Sequence, residues 1–276
     1  MHRPRRAALQ ALAALAKQQA AAGTLATVLR AVLAAILAGS SAETLAATPP
    51  AAPVLVPDTL AQRLQPCMAC HGPEGRASRE GYLPRIAGKP AAYLYQQLLN
   101  FRDGRRSNAA MAGLLAHQRN AYLREMAGYF AALDLPYPGA AQATALPASP
   151  AELARGAQLA REGDRARRLP ACSACHGNAL GGTLPAVPGL LGLPRDYLIA
   201  QLGAWQTGQR HATAPDCMAE MSRRLAPGDA SAVATWLAAQ PVPVGLKAAA
   251  PSAASGAGSS TGPAPLACGS IERPAR

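Results

Sequence analysis

Apolar residues recur at spacings of three and four in several stretches of the chain, the period of one buried helical face. Leu123, Met126, Ala127 and Phe130 predict a helix from Tyr122 to Leu133. Leu153, Ala157 and Ala160 fall on one side of another, Glu152 to Arg161. A third runs from Ala91 to Phe101, with Tyr93, Gln97 and Leu98 on related faces. Asp103-Gly104 ends it, since glycine commonly follows a helix. Asp58 is placed to cap a short helix from Thr59 to Leu64. Met111 falls in a loop or short turn.

Elsewhere the pattern loses its period. Ala31 to Ala38 is an unbroken apolar run, preceded by Arg3, Arg5 and Arg6 and followed by Gly39-Ser-Ser-Ala42. Residues 1–47 therefore read as a Sec-type export segment. The run is too short to span a membrane, and Lys17 and Arg30 interrupt any longer one. Two other readings of this segment stand: a later start at Val28, and an amphipathic helix kept in the mature protein. Residues 48–57 and 136–150 read as Ala/Pro linkers. Residues 241–276 read as a disordered tail, tethered if at all through Cys268.

The second half restates the first. Pro194, Tyr197, Gln201, Leu202, Trp205, Gly208 and Arg210 repeat Pro90, Tyr93, Gln97, Leu98, Phe101, Gly104 and Arg106 at a constant offset of 104. The chain is a tandem duplication, with domains expected at 58–135 and 151–240.

Composition changes this picture in one respect. Half the residues are apolar but only 4% are aromatic, so a core of such small side chains is thin without a bulky cofactor. The net charge is +12, and +8 without the export segment. Arg102, Arg105, Arg106, Arg161, Arg165, Arg167, Arg168, Arg223 and Arg224 are available as a basic face for an acidic partner or a membrane surface. The plainer reading is a solvated surface with some arginines pairing cofactor carboxylates. No nucleic-acid motif or aromatic interleaving accompanies the charge.

Cys67-Met-Ala-Cys70-His71 and Cys172-Ser-Ala-Cys175-His176 carry the chemistry. Two thiols three apart, with a histidine directly after the second, are what c-type haem attachment requires. The thiols add to the haem vinyl groups and the histidine reaches the iron. A zinc site wants four converging ligands, and a redox dithiol belongs beside a βαβ pattern that is not seen here. Two covalent haems c are expected, with Cys67, Cys70, Cys172 and Cys175 as thioethers and His71 and His176 as proximal ligands.

The sixth position separates carrier from enzyme. A soft, neutral thioether favours Fe(II) and keeps small ligands out. Met111 precedes Tyr129 by 18 residues and Met218 precedes Trp236 by 18, so these two are assigned to haems 1 and 2. Met221 is the fallback for the second site, and Met68 and Met126 read as packing. His117 and His211 have no counterparts and read as surface residues. Pro84 and Pro188, matched across the repeat, offer carbonyls to the histidine N–H groups. Cys217 and Cys268 remain, and two spare thiols in an exported protein suggest a disulfide. Cys217 as a haem ligand is the lesser alternative.

The order Cys-x-x-Cys-His-Gly, Pro-x-x-x-Gly, a Tyr…Gln-Leu helix ending at Gly-x-Arg, Met, then a helix with Tyr or Trp resembles class I cytochromes c. Two copies in tandem resemble the di-haem cytochrome c4 family over residues 58–240. The resemblance implies an all-α fold of two small domains, each wrapped around its haem. It also implies a periplasmic electron carrier between a donor, a dehydrogenase or bc1-type complex, and a terminal oxidase. Two departures stand out: the first opening helix is short and lacks a counterpart of Gly156, and Cys217, Cys268 and the tail are extra. Two other functions stay open. One is a subunit of a membrane-associated dehydrogenase or oxidase. The other is a di-haem peroxidase or sulfur-compound dehydrogenase with one open or cysteine-ligated iron.

Overall fold

The computed structural model describes residues 30–32, 56–77, 82–137, 148–251 and 266–272. The expected export segment lies outside these residues except for 30–32. So do 48–55 and 138–147 of the expected linkers and 252–265 and 273–276 of the expected tail. Among the described residues no helix is long and apolar enough to cross a membrane. From Val56 onward the chain gathers into one compact unit.

The first half holds α1 (Leu60–Arg63), α2 (Gln65–His71), a 3-10 turn (Pro73–Gly75), α3 (Ala91–Arg102), α4 (Ala109–Leu115) and α5 (Asn120–Ala132). The second holds α6 (Pro150–Arg161), α7 (Cys172–His176), β1 (Gly182–Thr183), β2 (Val187–Pro188), α8 (Arg195–Gln206), α9 (Cys217–Arg224) and α10 (Asp229–Ala239). A last turn, α11, covers Gly269–Glu272. The fold is helical, and the sheet among the described residues is one antiparallel pair. In the first half α3 packs on α4 and α5; in the second, α10 packs on α6 and α8, and α8 on α9.

Local chemistry moves two expected features. Thr59, not Asp58, caps α1: its backbone is extended and its hydroxyl accepts the Gln62 N–H at 3.2 Å. Asp58 lies one residue too early for that geometry and instead meets Arg63 on the surface at 3.3 Å. Met111 sits on helix α4 rather than in a loop, because the Asn108 side chain accepts the Met111 N–H at 3.0 Å and starts a helix there. Seven residues are too few for apolar periodicity to reveal such a helix.

The second half is tied together by a close helix crossing. A Cβ on Gly156 would lie 2.2 Å from the Ala232 carbonyl oxygen and 2.6 Å from Trp236 Cβ, so α6 touches α10 backbone to backbone. Among the described residues the first half has no such crossing, since α1 meets α5 over a much smaller patch. Gly156→Ala is expected to push α6 off α10 and cost about 3 kcal/mol. Calorimetry of the holoprotein checks this, and an unchanged melting temperature would show that the crossing does not depend on glycine.

The segments expected to be linker and tail are partly built in. Buried Arg85 donates to the Pro136 carbonyl at 3.2 Å and stacks on the Tyr137 ring at 4.2 Å, while Tyr137 packs against Gly192 of the other half. The first stretch of the expected tail, residues 241–251, packs on the second half. Val242 and Leu246 pack on the second core, and Ala249 pairs with β1, its N–H donating to Gly182 O at 3.0 Å. An open strand edge needs only backbone partners, so composition could not reveal this contact.

Candidate functional site

Each Cys-x-x-Cys-His motif is one turn of helix, α2 or α7, that ends at its histidine. His71 Nδ1 lies 2.9 Å from the Pro84 carbonyl oxygen, and His176 Nδ1 lies 2.7 Å from that of Pro188. A carbonyl only accepts, so each Nδ1 carries the proton and each Nε2 keeps a lone pair for a metal. Burial lowers the pKa of both rings, against the pull of these carbonyls, and so favours the neutral imidazole that ligation needs. The same burial pushes the Cys172 thiol up to about 12 and raises those of Cys67 and Cys175. Such thiols stay protonated and make poor redox nucleophiles.

The fold brings both motifs to one continuous cavity of about 910 Å³, within the roughly 300–1,000 Å³ typical of cofactor and ligand pockets. Cys67, Cys70, His71 and Met111 line one part of it, and Cys172, Cys175, His176 and Met218 the other. Met221 lines it too and packs on the second core. Met126 is 5% exposed within the first core, and Met68 packs against that core. His117 and His211 are exposed. Among the described residues no cluster of three or more His, Cys, Asp or Glu could hold a metal ion.

Where the halves meet, the repeat closes on itself. Arg106 and Arg210 pair as an antiparallel bridge flanked by Ser107 N–H to Gln209 O at 3.2 Å and His211 N–H to Arg105 O at 2.6 Å. Their side chains cross. Arg106 donates to Gln97 Oε1 at 3.1 Å, Gln201 Oε1 at 2.7 Å and Tyr197 Oη at 3.0 Å. Arg210 donates to Gln201 Oε1 at 2.8 Å and Gln97 Oε1 at 2.9 Å. Each guanidinium also lies over an aromatic ring, Phe101 at 4.4 Å and Trp205 at 3.7 Å.

Both arginines are buried, 8% and 4% exposed, and neither has a carboxylate partner among the described residues. Burial, then the charge of Arg106, pushes Arg210 down to about 10. Beside them Trp205 Nε1 is buried with no acceptor. Two buried cations and an unpartnered donor on a cavity wall suit anionic oxygens. Haem propionates fit that requirement, so the donor set suits the group that the motifs call for.

These contacts correct the basic face. Arg106 is inside, Arg102 and Arg105 pair with Asp103, and Arg223 and Arg224 pair with Glu220. Arg161, Arg165, Arg167 and Arg168 remain exposed around a turn that immediately precedes α7.

Cys217 and Cys268 are joined as a disulfide with Cα atoms 4.9 Å apart. Cys217 opens α9, one residue before Met218. The segment beyond the bond is held by Gly269 N–H to Pro215 O at 2.9 Å and by Gln96 Nε2 to Ser270 O at 2.7 Å, the latter from α3 of the other half. Leu266, Ser270 and Ile271 thereby become cavity wall.

No family model matches the chain. A thiosulfate dehydrogenase electron acceptor of Thiomonas intermedia is 36% identical over 176 residues, covering 64% of this chain and 79% of that one. The chain belongs to the di-haem cytochrome c4-like family. Reduced recombinant cytochrome c4 from Pseudomonas stutzeri superposes with a TM-score of 0.54 at 26% identity, over 64% of this chain and 94% of that one. The thiosulfate dehydrogenase of Marichromatium purpuratum superposes with a TM-score of 0.56 at 34% identity; the match covers 64% of this chain but 36% of that longer one. Two covalent haems c are the cofactors of the c4-like family, and the Cys-x-x-Cys-His motifs are where this chain attaches them.

Sequence reasoning missed Lys89, Trp205 and Tyr137 as residues of the cavity or of the junction. Trp205 was already a matched position of the repeat. Lys89 and Tyr137 have no matched partner and leave no such signal.

Proposed function

We propose that this protein is an exported electron carrier with two six-coordinate haems, His71/Met111 and His176/Met218, and that it takes electrons from a thiosulfate-oxidising dehydrogenase. The observation that supports it best is the shared cavity: both ligand sets line one continuous space with cationic residues at its junction. When bound, each haem c supplies a one-electron Fe(III)/Fe(II) couple.

The chain's own residues do the rest. Pro84 and Pro188 fix the tautomer and orientation of the histidines. Arg106, Arg210 and Trp205 Nε1 would hold the haem propionates, whose negative charges would offset two buried guanidiniums. The apolar walls keep water from the irons, and the methionine sulfurs keep out small ligands. The relatives named for thiosulfate dehydrogenase suggest the donor, and a terminal oxidase or similar acceptor completes the path. The arginines of the turn before α7 would steer an acidic partner. The export segment read from residues 1–47 supports a periplasmic location.

The test is an optical titration of the purified exported protein, with haem stoichiometry and the near-infrared band of iron–methionine bonding. Two haems per chain are expected, both with that band and both inert to carbon monoxide when reduced. Thiosulfate should reduce them only when a thiosulfate dehydrogenase is added. Thiosulfate oxidation by the chain alone, or carbon monoxide binding at one haem, would make it an enzyme instead.

A further inference from the structure

We propose that Lys89 is a potential-tuning residue that acts across the junction: a charge supplied by the first half that raises the reduction potential of the second haem. The inference rests on the di-haem reading above.

Lys89 lies in the loop before α3 and is 4% exposed, yet it carries an ammonium group. Its Nζ donates to the Gly189 carbonyl at 3.0 Å, exactly 100 positions along the chain. Gly189 directly follows Pro188, whose carbonyl holds His176 at 2.7 Å. The cation is therefore set against the loop that orients the second proximal ligand. No carboxylate pairs with it among the described residues. The other charged or titratable groups that face it are Arg85 and His176. Burial pushes its ammonium down to about 8, so it keeps its proton at neutral pH.

The duplication shows that this is not a general feature of the fold. At the offset of 104 the counterpart of Lys89 is Leu193, and that of Gly189 is Arg85. Leu193 packs on the second core. Arg85 donates to the carbonyls of Ala87, Leu135 and Pro136. The second half thus returns no lysine to the loop of Pro84 and His71.

The sign follows from Coulomb's law. Oxidation adds a positive charge at the iron, and a nearby fixed cation in a poorly solvated setting disfavours it. Lys89 therefore holds the second haem in its reduced form more strongly than the same site would be held without it.

Lys89→Gln removes the charge and keeps a donor for Gly189 O; Lys89→Arg keeps both. The holoproteins would be titrated potentiometrically as two one-electron steps, each assigned to its haem by resolved haem-methyl proton resonances. In Lys89→Gln the second haem's oxidised-to-reduced ratio at fixed potential should rise about tenfold, equivalent to about 59 mV for one electron. The first haem should move less than threefold, and Lys89→Arg should leave both steps near those of the parent. An unmoved second haem, or equal shifts of both, would overturn the proposal and leave Lys89 a packing residue. Failure of the di-haem reading looks different, because the parent protein would itself lack two methionine-ligated steps.

Discussion

Replacing Met218 with alanine is expected to open the sixth position of the second haem. The reduced protein should then bind carbon monoxide at one haem per chain, and about half of the near-infrared iron–methionine band should disappear. The potential of that haem should fall, because a soft neutral sulfur favours Fe(II) and the water that replaces it does not. Met111→Ala should do the same at the first haem. Both residues line the cavity and neither is buried in a core. Met221 shares the wall with Met218 one turn along α9, which makes Met221→Ala the decisive control. If that variant opens the haem and Met218→Ala does not, the ligand is Met221 and the match with Met111 across the repeat has misled.

Removing the disulfide is expected to have the second-largest effect. The bond closes a loop of 51 residues, and loop-closure entropy for that length gives about 4 kcal/mol. For a chain of this size such a loss lowers the melting temperature by roughly 10 °C. In Cys268→Ser the segment from Leu266 to Ile271 is left with its bonds to Pro215 and Gln96 alone. The variant should melt at the lower temperature while keeping both haems, since the thioethers are independent of this bond. A change below about 2 °C would mean that the loop costs little entropy when unclosed, and that the two polar contacts already hold the segment.

Parts of this molecule were plain in its sequence. The helix with Leu123, Met126, Ala127 and Phe130 turns its apolar face inward, and all four residues are buried. The family and the two haems were legible because attachment needs five adjacent residues, and nothing distant changes what those residues can do. The Arg106 guanidinium shows the opposite case. From charge alone it stood among arginines readable as a basic face or as a solvated surface with some pairing cofactor carboxylates, and it is 8% exposed in the centre of the junction. Its matched position in the repeat was visible, but that a repeated residue meets its own copy is a property of how the halves dock.

The remaining misses share that cause. The backbone of Ala249 completes a strand edge, and Lys89 reaches a carbonyl exactly 100 positions away. Neither contact leaves a periodicity or a motif. The sequence by itself determined the duplication, the helical class and the covalent cofactors, since each follows from local spacing and side-chain chemistry. The tertiary structure decided which cations are desolvated, which buried donor has no protein acceptor and which lysine of one half reaches the backbone of the other. Those depend on burial and on pairs of positions that come together only when the chain is folded.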